Sequence, residues 1–454
     1  MLARKRIRDL RKTQKALLSR IVGSIDCDNW FDQALSLPIR PRLVLNENYI
    51  LPEISRLTTE YINKKYYKYF ENNEEDSVSS LRANFSVALL SGKIYTTFKE
   101  LLGNFEVPVC KEKDPDLRYS YEKLYHPVKI ASAIFEKVDS CIEDYKTFTP
   151  TRESEERTTE FGEVLFACDQ GRRTTMEDKH VIIPHFNEQF GLENYEKQSY
   201  FAIFDGHAGV EAANFAKIHL HFNLIHHKLF KDDVASALVE AFAQTDKMFL
   251  ENSAIENTTS GCTGIVMFLR GRKVYVAWLG DSQALICRDG YPLEDICSPH
   301  RPEREDEKKR IEKEGGIVVH FGAWRVNGVL SVSRAIGDSQ LKKFIISKAD
   351  VSSITLEGNE DFAVLACDGL WDVINSNEII SFIREYLSHP SNQYVNLAQT
   401  LVDYSIKLGS TDNVTLIIVF FDKDPRQTLF KDSRERAETG RHNINELVTT
   451  QTSK

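Results

Sequence analysis

The sequence is short of several things, and each shortage excludes something. No C-x-x-C pair occurs among its eight cysteines, Cys27, Cys110, Cys141, Cys168, Cys262, Cys287, Cys297 and Cys367. Several of them sit in apolar runs, so buried free thiols in a reducing compartment are expected rather than disulfides or a zinc site. No apolar run is long enough to cross a bilayer, and no secretory signal is visible. An excess of positive charge is missing too. The net charge is -9, which does not favour nucleic acid as a partner. Internal repeats and low-complexity segments are absent. What remains is a chain of 454 residues with 42% hydrophobic content, enough for a sizeable core and about two to three domains by length.

One end departs from the acidic balance. The stretch "MLARKRIRDLRKTQKALLSRIVG" holds eight basic residues and one acid, Asp9. Ile7, Leu10, Leu17 and Ile21 share a helical stripe. Residues 1–25 thus read as a basic amphipathic tail, open to three uses: a solvated or partner-docking helix, a membrane-surface contact, or an address to the nucleus or mitochondrion.

Residues 26–150 read mainly as helix, a regulatory or docking domain without a catalytic constellation. "PVKIASAIFEKVDSCIEDY" repeats apolar residues at helical spacing. "SSLRANFSVALLSGKIYTTFKELLGNF" also fits helix, with a break expected at Gly92 and an end at Gly103. The acidic "ENNEEDS" reads as an exposed loop, and 151–160 as a linker. From Phe161 to Asp422 the texture changes. Short runs rich in Val, Ile and aromatics, such as "KVYVAWLG", "QALICRDG", "DFAVLACDG" and "DNVTLIIVFF", alternate with helical segments. The hairpin-length gap between the first two predicts that they pair antiparallel. The expected class is α+β, an antiparallel β-sandwich flanked by helices. Residues 423–454 read as a flexible tail.

The recurring oddity is the strand that ends in acid. Asp205 follows "YFAIF", Asp281 follows "VYVAWLG", and Asp368 follows "AVLAC" with Asp372 one turn on. Asp412 precedes "NVTLIIVF", and Glu177 and Asp178 precede "KHVII". A single such acid is usually a turn former or helix cap. Together, if they converge, they would repel one another and their pKa values would rise. A bound cation is the usual remedy, and hard oxygen ligands favour Mg2+ or Mn2+ over zinc. Gly206 would let a backbone carbonyl approach such an ion. Arg173 offers a planar fork for a phosphate dianion, and His207 a proton for a leaving oxygen. These are the parts for metal-assisted hydrolysis of a phosphate ester. "IHLHFNLIHH" carries His219, His221, His226 and His227, read as a helix face packed on a sheet rather than a zinc pair. His300 has a rim or turn role open to it, and Trp324 in "FGAWRVNG" either touches substrate or pins its own segment.

The stretches "RTTMEDKH", "FAIFDGHAGVEAA", "SGCTGIV", "AWLGDSQALICRDG", "EKEGGIVV", "RVNGVLSVSRAIGD", "LACDGLWDV" and "GSTDNVTLIIV" occur in one order. In that order they resemble the metal-dependent serine/threonine protein phosphatases of type 2C. The resemblance implies two Mg2+ or Mn2+ ions and a weaker third. Asp205 would bridge the two, Asp368 and Asp412 would hold the first, and Glu177 with the Gly206 carbonyl the second. Asp178 would orient bound waters, and Asp281 and Asp372 would line the third site. Arg173 would bind the substrate phosphate, His207 would be the general acid, and Asn413 would fix its loop. The departures are Cys262 and Gly264 in "GCTG" and Gln283 after "GDS", which touch no ligand.

Within that family, "MEDKHVIIPHFNEQFGL", "PHRPEREDEKKRIE" and "WRVNGVLSVSRAIGD" look like the calmodulin-kinase phosphatase branch. That branch also holds a nematode sex-determination phosphatase and partners of PIX exchange factors. This implies phosphorylated protein substrates, among them autophosphorylated calmodulin-dependent or p21-activated kinases. It also implies an exchange-factor or adaptor partner for the N-terminal domain. The thiols of a reducing compartment lead to an expected cytoplasmic location, with the nucleus as a second. The alternative is a phosphoprotein-binding scaffold with low catalytic activity.

Overall fold

The apolar runs of the second half become strands buried on both faces, which is why they read as continuous rather than alternating. Every residue of Gln198–Phe204, Glu360–Ala366 and Val414–Phe420 is buried. The structure is a computed structural model. It describes residues 33–70, 90–107, 123–146 and 162–422, apart from 35, 42–44, 47–48, 194, 257 and 295. The readings of the basic tail, the "ENNEEDS" loop, the linker and the C-terminal tail lie outside the described residues.

Ten strands make two sheets: β1 Val164–Asp169, β2 Lys179–Ile183, β3 Gln198–Phe204, β4 Gly264–Arg270, β5 Lys273–Leu279, β6 Gln283–Arg288, β7 Tyr291–Pro292, β8 Asp350–Thr355, β9 Glu360–Ala366 and β10 Val414–Phe420. The orders are β8-β5-β4-β3-β2 and β7-β6-β9-β10-β1, and every pairing is antiparallel. Ile203, Ile265 and Val276 of the first sheet meet Ile286, Leu365 and Ile417 of the second in a shared core. The alternate residues of the second sheet, including Val364, Leu416 and Ile418, pack on Ile379, Ile383 and Leu401 of the helices Ser376–Ser388 and Leu397–Lys407. The helices Glu211–Ile225 and Val234–Glu256 cover the first sheet. Burying one such Leu or Ile contributes about 1.5–3 kcal/mol. The expected α+β sandwich with flanking helices is what the chain forms.

Two expectations fail locally. β5 and β6, predicted to pair, belong to different sheets. The three residues between them, Gly280-Asp281-Ser282, cross from one sheet to the other. Gly280 has φ +101°, and a Cβ on it would lie 2.6 Å from the Thr263 side chain, so both the turn and the close approach need glycine. The predicted break at Gly92 is also absent, and helix runs through 90–101. A Cβ on Gly92 would lie 1.9 Å from the Glu188 carbonyl oxygen. The glycine therefore serves packing between segments, not helix termination.

The chain divides into two compact units, 1–158 with 185–195, and 159–184 with 196–454. In the first, Pro127–Lys146 is the helix that its spacing predicts, burying Ile130, Ile134, Val138 and Ile142. The short helix Phe186–Phe190 joins this unit. Gln189 donates to Thr59 Oγ1 at 3.1 Å, and Phe190 meets Tyr95 edge to face. In the second unit, helix Glu305–Lys313 and the hairpin Val318–Phe321 with Ala323–Val326 share a small core of Ile311, Val326, Val332, Ala335 and Ile345. No helix among the described residues is long and apolar enough to cross a membrane.

Candidate metal centre

The strand-end acids converge. Asp205 follows β3 directly, Asp281 lies in the β5–β6 crossing, Asp368 opens the helical turn after β9, and Asp178 precedes β2. Carboxylate oxygens of Asp205, Asp281 and Asp368 lie within 4.8 Å of one another, and Asp205 forms a second such group with Asp178 and Cys367 Sγ. Asp205 is therefore common to both groups.

The electrostatics match the crowding. Burial, then repulsion from Asp178, Asp368, Asp281 and Asp412, drives the Asp205 carboxyl well above the usual range. Asp368 is raised likewise by burial and by Asp281, Asp412 and Asp372. Burial raises Asp178. Burial also raises Asp281, to about 6, against the attraction of Arg301. A divalent cation would remove this repulsion. The donors fit one. Asp178 Oδ2 accepts from Thr415 Oγ1 at 2.7 Å, but its buried Oδ1 accepts no hydrogen bond from any described residue. That is unusual for a buried carboxylate oxygen. Cys367 is not a natural ligand here. Its thiol donates to the Asn413 carbonyl and accepts from Thr415 N–H, and burial pushes its pKa up, so it stays protonated.

The remaining predicted residues lie outside these two groups and are held by other partners. Glu177 accepts from Gly209 N–H at 3.2 Å and from Thr175 Oγ1 at 3.0 Å. Asp412 pairs with Arg173, and Asp372 accepts from Arg301 at 2.6 Å. Gly206 runs close to Glu177, where a Cβ would lie 2.6 Å from the Glu177 carbonyl oxygen. Asn413 stitches the Gln170–Glu177 loop with three bonds, donating to Gln170 O and Thr175 O and accepting from Glu177 N–H. His207 Nε2 lies 2.8 Å from Asp338 Oδ2.

His300 has the turn role. It is fully buried, donates its backbone N–H to Gly280 O at 2.7 Å and accepts Gly280 N–H on ring Nδ1 at 3.2 Å. It thereby clamps the crossing that carries Asp281. His219 and His221 are buried, against Phe215 and Tyr200. Neither belongs to a metal-capable group among the described residues. Trp324 packs on His320 within the flap hairpin. The six described cysteines are free thiols.

A family model described as Protein phosphatase 2C matches residues 163–414. The chain belongs to the protein phosphatase 2C family. Human protein phosphatase 1E is 46% identical over 294 residues, covering 64% of this chain and 38% of the relative. Human protein phosphatase 1F is 44% identical over 257 residues, 57% of this chain and 56% of the relative. The chain thus spans well under two thirds of the length of these two relatives. A solved structure described as a C. elegans sex determining protein matches with a TM-score of 0.63 at 21% identity, covering 93% of this chain and 98% of that one. That likeness is one of fold.

Three residues of this protein phosphatase 2C site went unremarked in the sequence: Asp338, Arg301 and Thr415. Asp338 carries the same signature as the acids singled out, an Asp after the apolar "AIG", and could have been found by it. Arg301 and Thr415 carry no sequence signal, since their partners lie 71 and 237 residues away.

Proposed function

We propose that this chain is a Mg2+- or Mn2+-dependent protein-serine/threonine phosphatase. The observation that carries this is the position of Asp205, half-buried, crowded by like charges and common to two groups of ligand-bearing side chains. Asp205, Asp368 and Asp412 would hold one ion, and Asp205, Glu177 and the Gly206 carbonyl a second. Asp281 and Asp372 would serve a weaker third, and Asp178 would back them through water. When bound, such ions lower the pKa of a water and neutralise charge that develops on phosphate oxygens. Arg173 would turn from Asp412 to the substrate phosphate and hold it by two parallel hydrogen bonds. His207 would give a proton to the leaving seryl or threonyl oxygen as the P–O bond breaks.

Resemblance to the branch named above supports autophosphorylated kinases of the calmodulin-dependent or p21-activated type as substrates. It also supports an exchange-factor or adaptor partner for the N-terminal unit. Free thiols support a cytoplasmic location, with the nucleus as a second. The test is Mn2+-dependent dephosphorylation of a phosphothreonine peptide by the wild type, Asp205→Asn and Asp368→Asn. Loss of about 10³-fold or more in both variants is expected if the acids hold the ions that act on the phosphate. A wild type no faster than its variants would leave a metal-stabilised phosphoprotein-binding module instead.

A further inference from the structure

We propose that Asp338 is the positioning residue for His207, fixing which imidazole nitrogen faces the leaving oxygen; this rests on the phosphatase reading above. Both carboxylate oxygens of Asp338 approach one ring atom, His207 Nε2, at 3.0 and 2.8 Å. The carboxylate is almost wholly buried, and the imidazole is about a quarter exposed. One nitrogen is therefore held inside, and Nδ1 is turned away from Asp338. A ring with one nitrogen bonded to a buried carboxylate keeps a single tautomer and orientation.

The surroundings are built for this pair. Gly206–His207, Gly261–Cys262 and Ile336–Gly337 form a three-stranded sheet with Gly261 in the middle. A Cβ on Gly261 would lie 2.2 Å from Asp338 Oδ2 and 2.3 Å from His207 Nε2. Glycine there leaves the space the pair fills. Asp338 itself is left-handed, at φ +52°, next to Gly337 at +88°. Such a conformation in a non-glycine residue must be held by its surroundings. Buried Asp246 holds it, accepting from Gly337 N–H at 2.8 Å and from Lys342 at 2.6 Å. Lys342 also donates to Ala335 O and Gly337 O.

The test compares turnover of a phosphothreonine peptide with that of p-nitrophenyl phosphate, whose phenolate leaves without a proton. Asp338→Asn keeps shape and tolerates the left-handed backbone, but its amide can offer the ring either N–H or C=O. Asp338→Gly removes the carboxylate and tolerates the same φ. The peptide kcat is expected to fall about 10²-fold in Asp338→Gly, and at least about 10-fold in Asp338→Asn, with the aryl phosphate changed less than about threefold. Mn2+ affinity by calorimetry should not move. The ratio of the two kcat values is independent of the fraction of folded enzyme. An unchanged ratio in both variants overturns the proposal even if activity falls. A wild type inert on both substrates overturns the phosphatase reading, and this inference with it.

Discussion

Neutralising Asp281 should stabilise the protein when no divalent ion is present. Asp281 is buried at the sheet crossing, and its carboxyl is raised from 3.8 to about 6. A shift of that size makes the ionised group cost about 3 kcal/mol above pH 7. The sign follows from the direction. The folded state binds the proton more tightly, so the stability present below the unfolded value of 3.8 is lost as pH rises through the folded value near 6. Asp281→Asn removes that loss. In EDTA at pH 7.5 its Tm should exceed that of the wild type by about 6–12 °C, taking about 2–4 °C per kcal/mol for a domain of this size. Near pH 5 the gain should fall to roughly half, because the wild-type carboxyl is then largely protonated when folded. Saturating Mn2+ should narrow or reverse the difference, since the ion stabilises only the form that binds it well. The assay is differential scanning calorimetry across pH. A variant that melts with or below the wild type in EDTA at pH 7.5 would refute the account of Asp281 as a buried charge held against repulsion.

Two further outcomes follow from close contacts. Asn413→Ala strips three hydrogen bonds from the Gln170–Glu177 loop. Urea denaturation should show a loss of about 1–3 kcal/mol, and half-maximal activity should need more Mn2+; an unchanged Mn2+ requirement would show that the loop does not support the metal ligands. Gly92→Ala sets a methyl against the Glu188 carbonyl and should cost about 1–3 kcal/mol by the same method, whereas a neutral result would mean that Gly92 only lowers helix propensity.

Much of the site was legible because its chemistry is local. An apolar strand that ends in an acid beside a glycine shows in any window of ten residues, and Asp205, Asp281 and Asp368 all carry that mark. The long helices were legible for the same reason, since the spacing of Ile130, Ile134 and Val138 is fixed by the helical period alone. What was not legible depends on partners far along the chain. A three-residue gap at Gly280 suits a hairpin as well as a crossing between sheets, and only the packing of both sheets decides. Gly92 carries no mark that separates a helix breaker from a close contact. Asp338 shows the strand-end pattern, but its bond to His207 spans 131 residues.

The strands β2 and β3 have Asp178 and Asp205 at one end and the Pro184–Lys197 connection at the other. Part of that connection, 185–195, belongs to the N-terminal unit, where Phe186 and Phe190 are buried. The boundary between the units is thus not a single cut. A fragment that begins after residue 158 keeps a stretch whose apolar partners have been removed, and a fragment that ends there lacks a piece of its own core. For anyone moving one unit into another protein, the portable module is the β-sandwich unit with a replacement hairpin loop, and the N-terminal unit is portable only if 185–195 travels with it.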